Sequence, residues 1–303
     1  MNIEKLRFHE FFSQAWRASV SQKLAWVFGI IVGISSIAAT HLDIVLPYVF
    51  YLNKFTVPIF SAKVYSEAFL IFLWLVLLFV VSAFGEGNLI SALSYISGKT
   101  NFSNYPNTLK AARNNFFRAL LVDGLALCLL LIAIGIISLP IGIASARNPD
   151  AMRLLTNLGL LTLAPIIIVI FFIRQYALFY FLLSSLSLRG AIETASALFA
   201  RFFFRSLSFG VFFVALTILF TFCVELITLG IVFLARQISV PLEERLVSLV
   251  ASFVFFAWFA IFQQALWLAF FKSIAGTRDT QKSATEKSSV FTDNLPEIPP
   301  VKN

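Results

Sequence analysis

Apolar residues run along this chain in long blocks that short polar breaks separate. Six blocks stand out, Leu24–Ala39, Ala68–Gly87, Leu120–Ala144, Leu155–Leu182, Leu207–Leu234 and Leu246–Phe271. Most approach or exceed the roughly 18 to 20 residues that a helix needs to cross about 30 Å of hydrocarbon. The stretch Leu154–Ile173 shows no alternation of period two, which argues against barrel strands and leaves helices as the spanning structure. The pattern predicts an all-α, polytopic integral membrane protein with six transmembrane helices. The first block is the least apolar, because Gly29, Gly33, Ser35 and Ser36 dilute it, although small residues also let helices pack closely in lipid. A cleaved signal peptide is the competing reading there, with Ser36-Ile37-Ala38 as a small-residue cleavage site. Against it, the preceding segment is long, carries Glu4 and Glu10, and has an organised apolar face.

That apolar face recurs. Phe8, Phe11, Phe12, Ala15 and Trp16 fall at helical spacing opposite Glu10, Gln14 and Arg17. Leu109, Ala112, Phe116, Phe117 and Leu120 oppose Lys110, Arg113 and Arg118, and Ile192, Ala195, Phe199, Phe202 and Phe203 oppose Glu193, Arg201 and Arg205. Each stretch closes on an aromatic-Arg-small step: Trp16-Arg17-Ala18, Phe117-Arg118-Ala119 and Phe204-Arg205-Ser206. Such helices suit the membrane interface, so each is expected to lie along the inner leaflet. The even-numbered blocks carry a second correspondence, Glu86-Gly87-Asn88-Leu89, Arg174-Gln175-Tyr176-Ala177-Leu178 and Gln263-Gln264-Ala265-Leu266. Glu86 and Arg174 are 88 residues apart, Arg174 and Gln263 89, and Arg118 and Arg205 87, whereas Arg17 and Arg118 are separated by 101. Three repeats of interfacial helix plus helical hairpin follow, the first with an enlarged outer loop.

Charge orients the chain. Lys and Arg number four, two, four, two, three, two and five in the successive segments outside the blocks, so alternate segments hold sixteen against six. The positive-inside rule then places both termini in the cytosol. The expected division is a cytosolic amphipathic helix over 1–23, a six-helix membrane domain over 24–275, and a disordered cytosolic tail over 276–303, where Thr, Ser, Lys, Asp and Pro take over. Hydrophobic residues make up 59% of the 303 positions and charged residues 13%, which takes the chain out of the soluble class. The net charge of +8 is dispersed over many loops, so nucleic acid is not an expected partner. Cys128 and Cys223 lie in apolar blocks and suggest neither disulfide nor metal.

Little catalytic chemistry presents itself. His9 and His41 fall on opposite faces of the bilayer, Gly85 and Gly87 lack a phosphate-loop context, and Ser184-Ser185 has no nearby base. Neither a catalytic residue nor a metal or cofactor site is expected. Ionisable groups inside apolar blocks are costly, which singles out Glu86, Asp123, Arg174 and Glu225. Helical rise puts Glu86, Arg174 and Gln263 near the inner boundary and Glu225 near the outer one. Two readings stay open for Glu86, Asn88, Asp123, Arg174, Gln175, Gln263 and Gln264. Either they form an inner-leaflet pocket for a lipid headgroup or small anion, or Glu86 or Asp123 pairs with Arg174 or Arg118 while glutamines bridge helices. Trp16, Arg17, Arg113, Phe117, Arg118, Arg201, Phe204 and Arg205 are the expected contacts with lipid phosphate and the interface.

Glu86-Gly87-Asn88-Leu89-Ile90, Gly98-Lys99, Phe102 and Ala111-Ala112-Arg113-Asn114-Asn115-Phe116-Phe117-Arg118, together with Ala15-Trp16-Arg17 and Leu24-Ala25-Trp26-Val27-Phe28-Gly29, carry a resemblance. The chain resembles a bacterial family of six-helix proteins related to the membrane domain of glycerophosphoryl diester phosphodiesterases. That resemblance implies a six-helix bundle in a bacterial cytoplasmic membrane. In the phosphodiesterases of that family hydrolysis belongs to a separate soluble barrel, for which these residues leave no room. The expected function is a non-enzymatic, membrane-embedded lipid-binding, scaffold or accessory component, with anionic headgroups as its partner. A transporter or permease subunit is the alternative, with Pro140 and Pro165 as the only helix-breaking candidates, and an intramembrane lipid-modifying enzyme stands further off.

Overall fold

Backbone amides that find no partner in lipid must bond along their own chain, and the described part of this protein is helical throughout. A computed structural model describes residues 8–40, 62–97, 108–147, 149–184, 186–237 and 244–292. Among them are eight helices: α1 (Phe8–Ser21), α2 (Lys23–Thr40), α3 (Ala62–Ser97), α4 (Thr108–Arg147), α5 (Pro149–Leu183), α6 (Leu188–Arg201), α7 (Phe203–Gln237) and α8 (Glu244–Thr292). Five are long and apolar enough to cross a membrane, or up to six if α1 and α2, bent by 95° at their junction, make one span. The chain is thus a multi-pass membrane protein, all-helical among the described residues. Pro140 and Pro165 sit inside α4 and α5 without ending them, a tolerance that lipid-embedded helices permit.

Three helices, α3, α5 and α8, touch one another at the centre. Around them α2 packs on α8 and α3, and α4 on α3 and α5. Helix α7 packs on α8 and reaches α5 where Gly210 meets the Phe172 ring. The two short amphipathic helices each rest on one central helix, α1 on α8 and α6 on α5. Close approach depends on glycine at two seams. A Cβ on Gly33 would stand 2.8 Å from the Ala257 backbone nitrogen of α8, and one on Gly87 2.8 Å from the Asn115 carbonyl oxygen of α4. The small residues of α2 therefore do what the sequence suggests for them.

Packing is concentrated at one end of the bundle. Trp267, Tyr176, Phe179, Phe209, Phe262 and Phe270 are the largest fully buried side chains, all close to α1, α6 or the first turns of α7. Towards the opposite end, residues 124–143 of α4 and 154–171 of α5 include none that is buried. The α4–α5 pair there keeps contact through Gly159 against Ile137 and Ile141 and offers lipid apolar side chains on its other faces.

Two elements depart from expectation. The aromatic-basic stretch 109–120 is no separate interfacial helix, because it continues unbroken into α4, which runs 40 residues. No glycine, proline or capping residue interrupts Phe117 to Leu121, and the Gly87 seam holds the stretch against α3. At the α1–α2 bend, by contrast, Ser19 and Ser21 donate side-chain hydrogen bonds back to the Trp16 and Arg17 carbonyls at 2.8 and 2.7 Å, a competition that favours a break. The second departure is α8, which runs to Thr292, where a disordered tail is expected from residue 276. Extending an existing helix avoids the nucleation cost that an isolated polar segment would face. The remainder of the tail, the segment 41–61 with His41 expected to form an outer loop, and residues 1–7 lie outside the described residues.

Candidate functional site: a polar ring between four helices

The packed end of the bundle has one concentration of polar side chains that cross-links helices. Residues 83 to 93 of α3 are tightly packed, and Glu86 projects from them with 7% of its surface exposed. Arg174 and Gln175 come from α5, Gln264 from α8 and Asp123 from α4. Arg174 Nη1 donates to Glu86 Oε1 at 3.0 Å, and Nη2 donates to Glu86 Oε2, the two-pronged fork typical of guanidinium and carboxylate. Its Nε donates to Asp123 Oδ1 at 2.7 Å. Nη1 also donates to Gln175 Oε1 at 3.0 Å. Gln175 Nε2 donates to Gln264 Oε1 at 3.2 Å, and Gln264 Nε2 returns to Glu86 Oε1 at 2.7 Å. The circuit Arg174, Glu86, Gln264, Gln175 closes on itself and ties the three central helices at one level, with Asp123 attaching α4.

The electrostatics follow from that geometry. One guanidinium faces two carboxylates, and every nitrogen of Arg174 already donates to a protein oxygen. An incoming anion would meet both carboxylates beside the guanidinium. The arrangement therefore pairs its one cation internally on two sides, which offsets part of the cost of burying it. Of the residues singled out from sequence, Asn88 stands apart, donating from Nδ2 to the Phe84 carbonyl of its own helix at 2.8 Å. Gln263 is half-buried and also stands outside the ring.

The interface residues divide three ways. Trp16, Arg17, Arg113, Phe117 and Phe204 are exposed. Arg118 turns inward, donating from Nη1 to the Phe181 carbonyl at 2.9 Å while lying over the Phe181 ring at 5.1 Å. It thereby supplies a donor to one of the last carbonyls of α5, which have no partner within the helix. Arg201 and Arg205 both lie over the ring of Phe202, at 5.4 and 5.6 Å from its centroid. One fastener escaped the sequence reading: Tyr176 Oη donates to Ser206 Oγ at 2.7 Å, joining α5 to α7. Tyr176 lies in the quoted Arg174-Gln175-Tyr176 run, but its partner, 30 residues away, could not be inferred from spacing.

Comparison of the chain with protein-family models, with curated proteins and with solved structures finds no match. What this site does must therefore be argued from its own residues.

Proposed function

We propose that the chain is a six-span protein of three hairpin repeats with both ends in the cytosol. On this reading it serves, without chemistry of its own, as a lipid-engaged scaffold or accessory component of a bacterial cytoplasmic membrane. The observation that carries the reading is the closed ring: Arg174 commits four of its five N–H donors to Glu86, Asp123 and Gln175, so it serves as a lock between helices. The repeat reading is supported by contact order. The start of α4 rests on α3, α6 on α5 and α1 on α8, so each amphipathic stretch sits on the central helix of the preceding repeat, cyclically. Transport is the weaker reading, because a solute passing the ring would next meet Trp267, Tyr176 and Phe270, all fully buried.

The experiment compares Arg174→Leu with the parent protein for folded yield and retained lipid in mild detergent. A lock should lose folded yield. Normal folding with loss of bound lipid would instead make the ring a ligand pocket and overturn this reading.

A further inference from the structure

We infer that the far half of α7 is a docking face for a transmembrane helix that carries a basic side chain, with Glu225 as its anchor. The inference rests on the scaffold reading above and adds the chemistry of the partner to it. Glu225 is exposed, and among the described residues it makes no hydrogen bond or ion pair. Thr221, one turn earlier, does not reach it, because its hydroxyl donates to the Thr217 carbonyl at 2.9 Å. On α7 itself the nearest cations are Arg205 and Arg236, about 30 and about 16 Å away along the axis. Phe222, Leu226 and Leu229, its neighbours on the helix surface, are exposed and apolar.

The depth of Glu225 makes that isolation costly. The Tyr176–Ser206 hydrogen bond and the contact of Gly210 with Phe172 align α7 with α5, so the level of Arg174 falls near Ser208. Glu225 lies about 26 Å beyond that level by helical rise, inside a hydrocarbon core of about 30 Å that begins there. Side chains lean toward the N-terminus of their helix, here the packed end, so this carboxylate leans toward the membrane centre and away from the far headgroups. Shifting the membrane toward the packed end would bring Glu225 into water, but with it Leu226, Ile227, Leu229, Ile231, Phe233 and Leu234, all exposed. In either placement lipid and water alone solvate this half of α7 poorly.

A partner helix with a cation meets both conditions. A carboxylate in lipid is costly alone, an opposite charge on a neighbouring helix offsets that cost, and the partner's apolar surface covers the flanking side chains. A second copy of this chain fits less well. Two-fold pairing through this face brings Glu225 toward Glu225, and no Lys or Arg lies between Arg205 and Arg236 to answer it. The bundle also leaves room for a helix. Val224 and Thr228 are buried, and Phe220 packs against Trp258 and Phe259 of α8, so α7 is engaged on one side and open on the other.

The test uses the full chain in phosphatidylcholine vesicles, labelled with a fluorophore at Gln237→Cys in a Cys128→Ser, Cys223→Ser background. The probes are two transmembrane peptides of leucine and alanine, one with a single Lys a turn from its end and one with Leu at that place, each carrying an acceptor dye. Energy transfer should show the Lys peptide associating about fivefold more tightly than the Leu peptide. Glu225→Leu should bring the two peptides level, and Glu225→Lys should favour a peptide with Glu at that place instead. If Glu225→Leu is not monodisperse, Glu225→Gln should still lose at least half of the preference. Equal association of the Lys and Leu peptides with the parent protein overturns the inference, as does a preference that survives Glu225→Leu. Energy transfer between two labelled copies in peptide-free vesicles, abolished by Glu225→Leu, would assign the face to self-association and overturn it too. Arg174→Leu folding normally would sink the lock that carries the scaffold reading while leaving these peptide outcomes as they are, so the two failures are distinguishable.

Discussion

At the scale of single residues, the decisive chemistry is one guanidinium answering two carboxylates in a place where water is scarce. Removing it leaves Glu86 and Asp123 uncompensated, so Arg174→Leu should cost about 3 to 5 kcal/mol in unfolding measured in detergent. Glu86→Gln keeps an acceptor for Nη1 and leaves Asp123 to balance the cation, so its cost should be smaller, about 1 to 2 kcal/mol. An equal cost for both would contradict the charge argument. These residues were legible because ionisable and amide groups inside apolar runs are conspicuous, and the spacing of 88 residues between Glu86 and Arg174 marked them as a set. Which glutamine faces the centre was not legible. Gln263 and Gln264 differ by about 100° around their helix, and only the packing of α8 on α3 and α5 selects Gln264. The same rotation explains Asn88, which lies about 200° from Glu86 and bonds within α3.

At the scale of elements, seams between helices are set by where a side chain is missing. Gly33 faces the backbone of Ala257, whereas a Cβ on Gly135 would meet nothing within 4 Å. Gly33→Ala should therefore destabilise by about 1 to 3 kcal/mol through overpacking. Gly135→Ala should be neutral or stabilise by up to about 1 kcal/mol, because alanine favours the helix. Thermal unfolding of the two variants in one detergent checks the contrast, and the reverse order would mean that α2 does not pack on α8 in this register. The apolar blocks predicted the long helices well. They could not predict that residues 109–120 continue straight into α4 while 8–21 turn away from α2. Both stretches have the same amphipathic pattern, and the difference lies in local serine hydrogen bonds and in the Gly87 seam, neither of which periodicity encodes.

At the scale of the whole molecule, the described helices form a bundle tied at one end and loosely associated at the other. Nearly all the large buried rings lie at the end where α1 and α6 rest, and the ring of Glu86, Arg174, Gln175 and Gln264 closes it. The opposite halves of α4 and α5 meet each other and the surrounding lipid. On the proposed six-span topology, with sixteen basic residues against six in alternate segments, the tied end would face the cytosol. Apolar blocks alone could not foresee that the bundle would be tight at one level and open at another, since lipid-facing and core-facing residues are equally apolar here.

The most direct check is topological. Cysteine placed singly at Asn2 and at Asn303, in a background with Cys128 and Cys223 replaced by serine, can be challenged with a membrane-impermeant thiol reagent. Both positions should stay unlabelled in intact cells and label in inverted vesicles. Labelling of one terminus from outside and the other from inside would give an odd number of crossings and contradict the three-hairpin architecture.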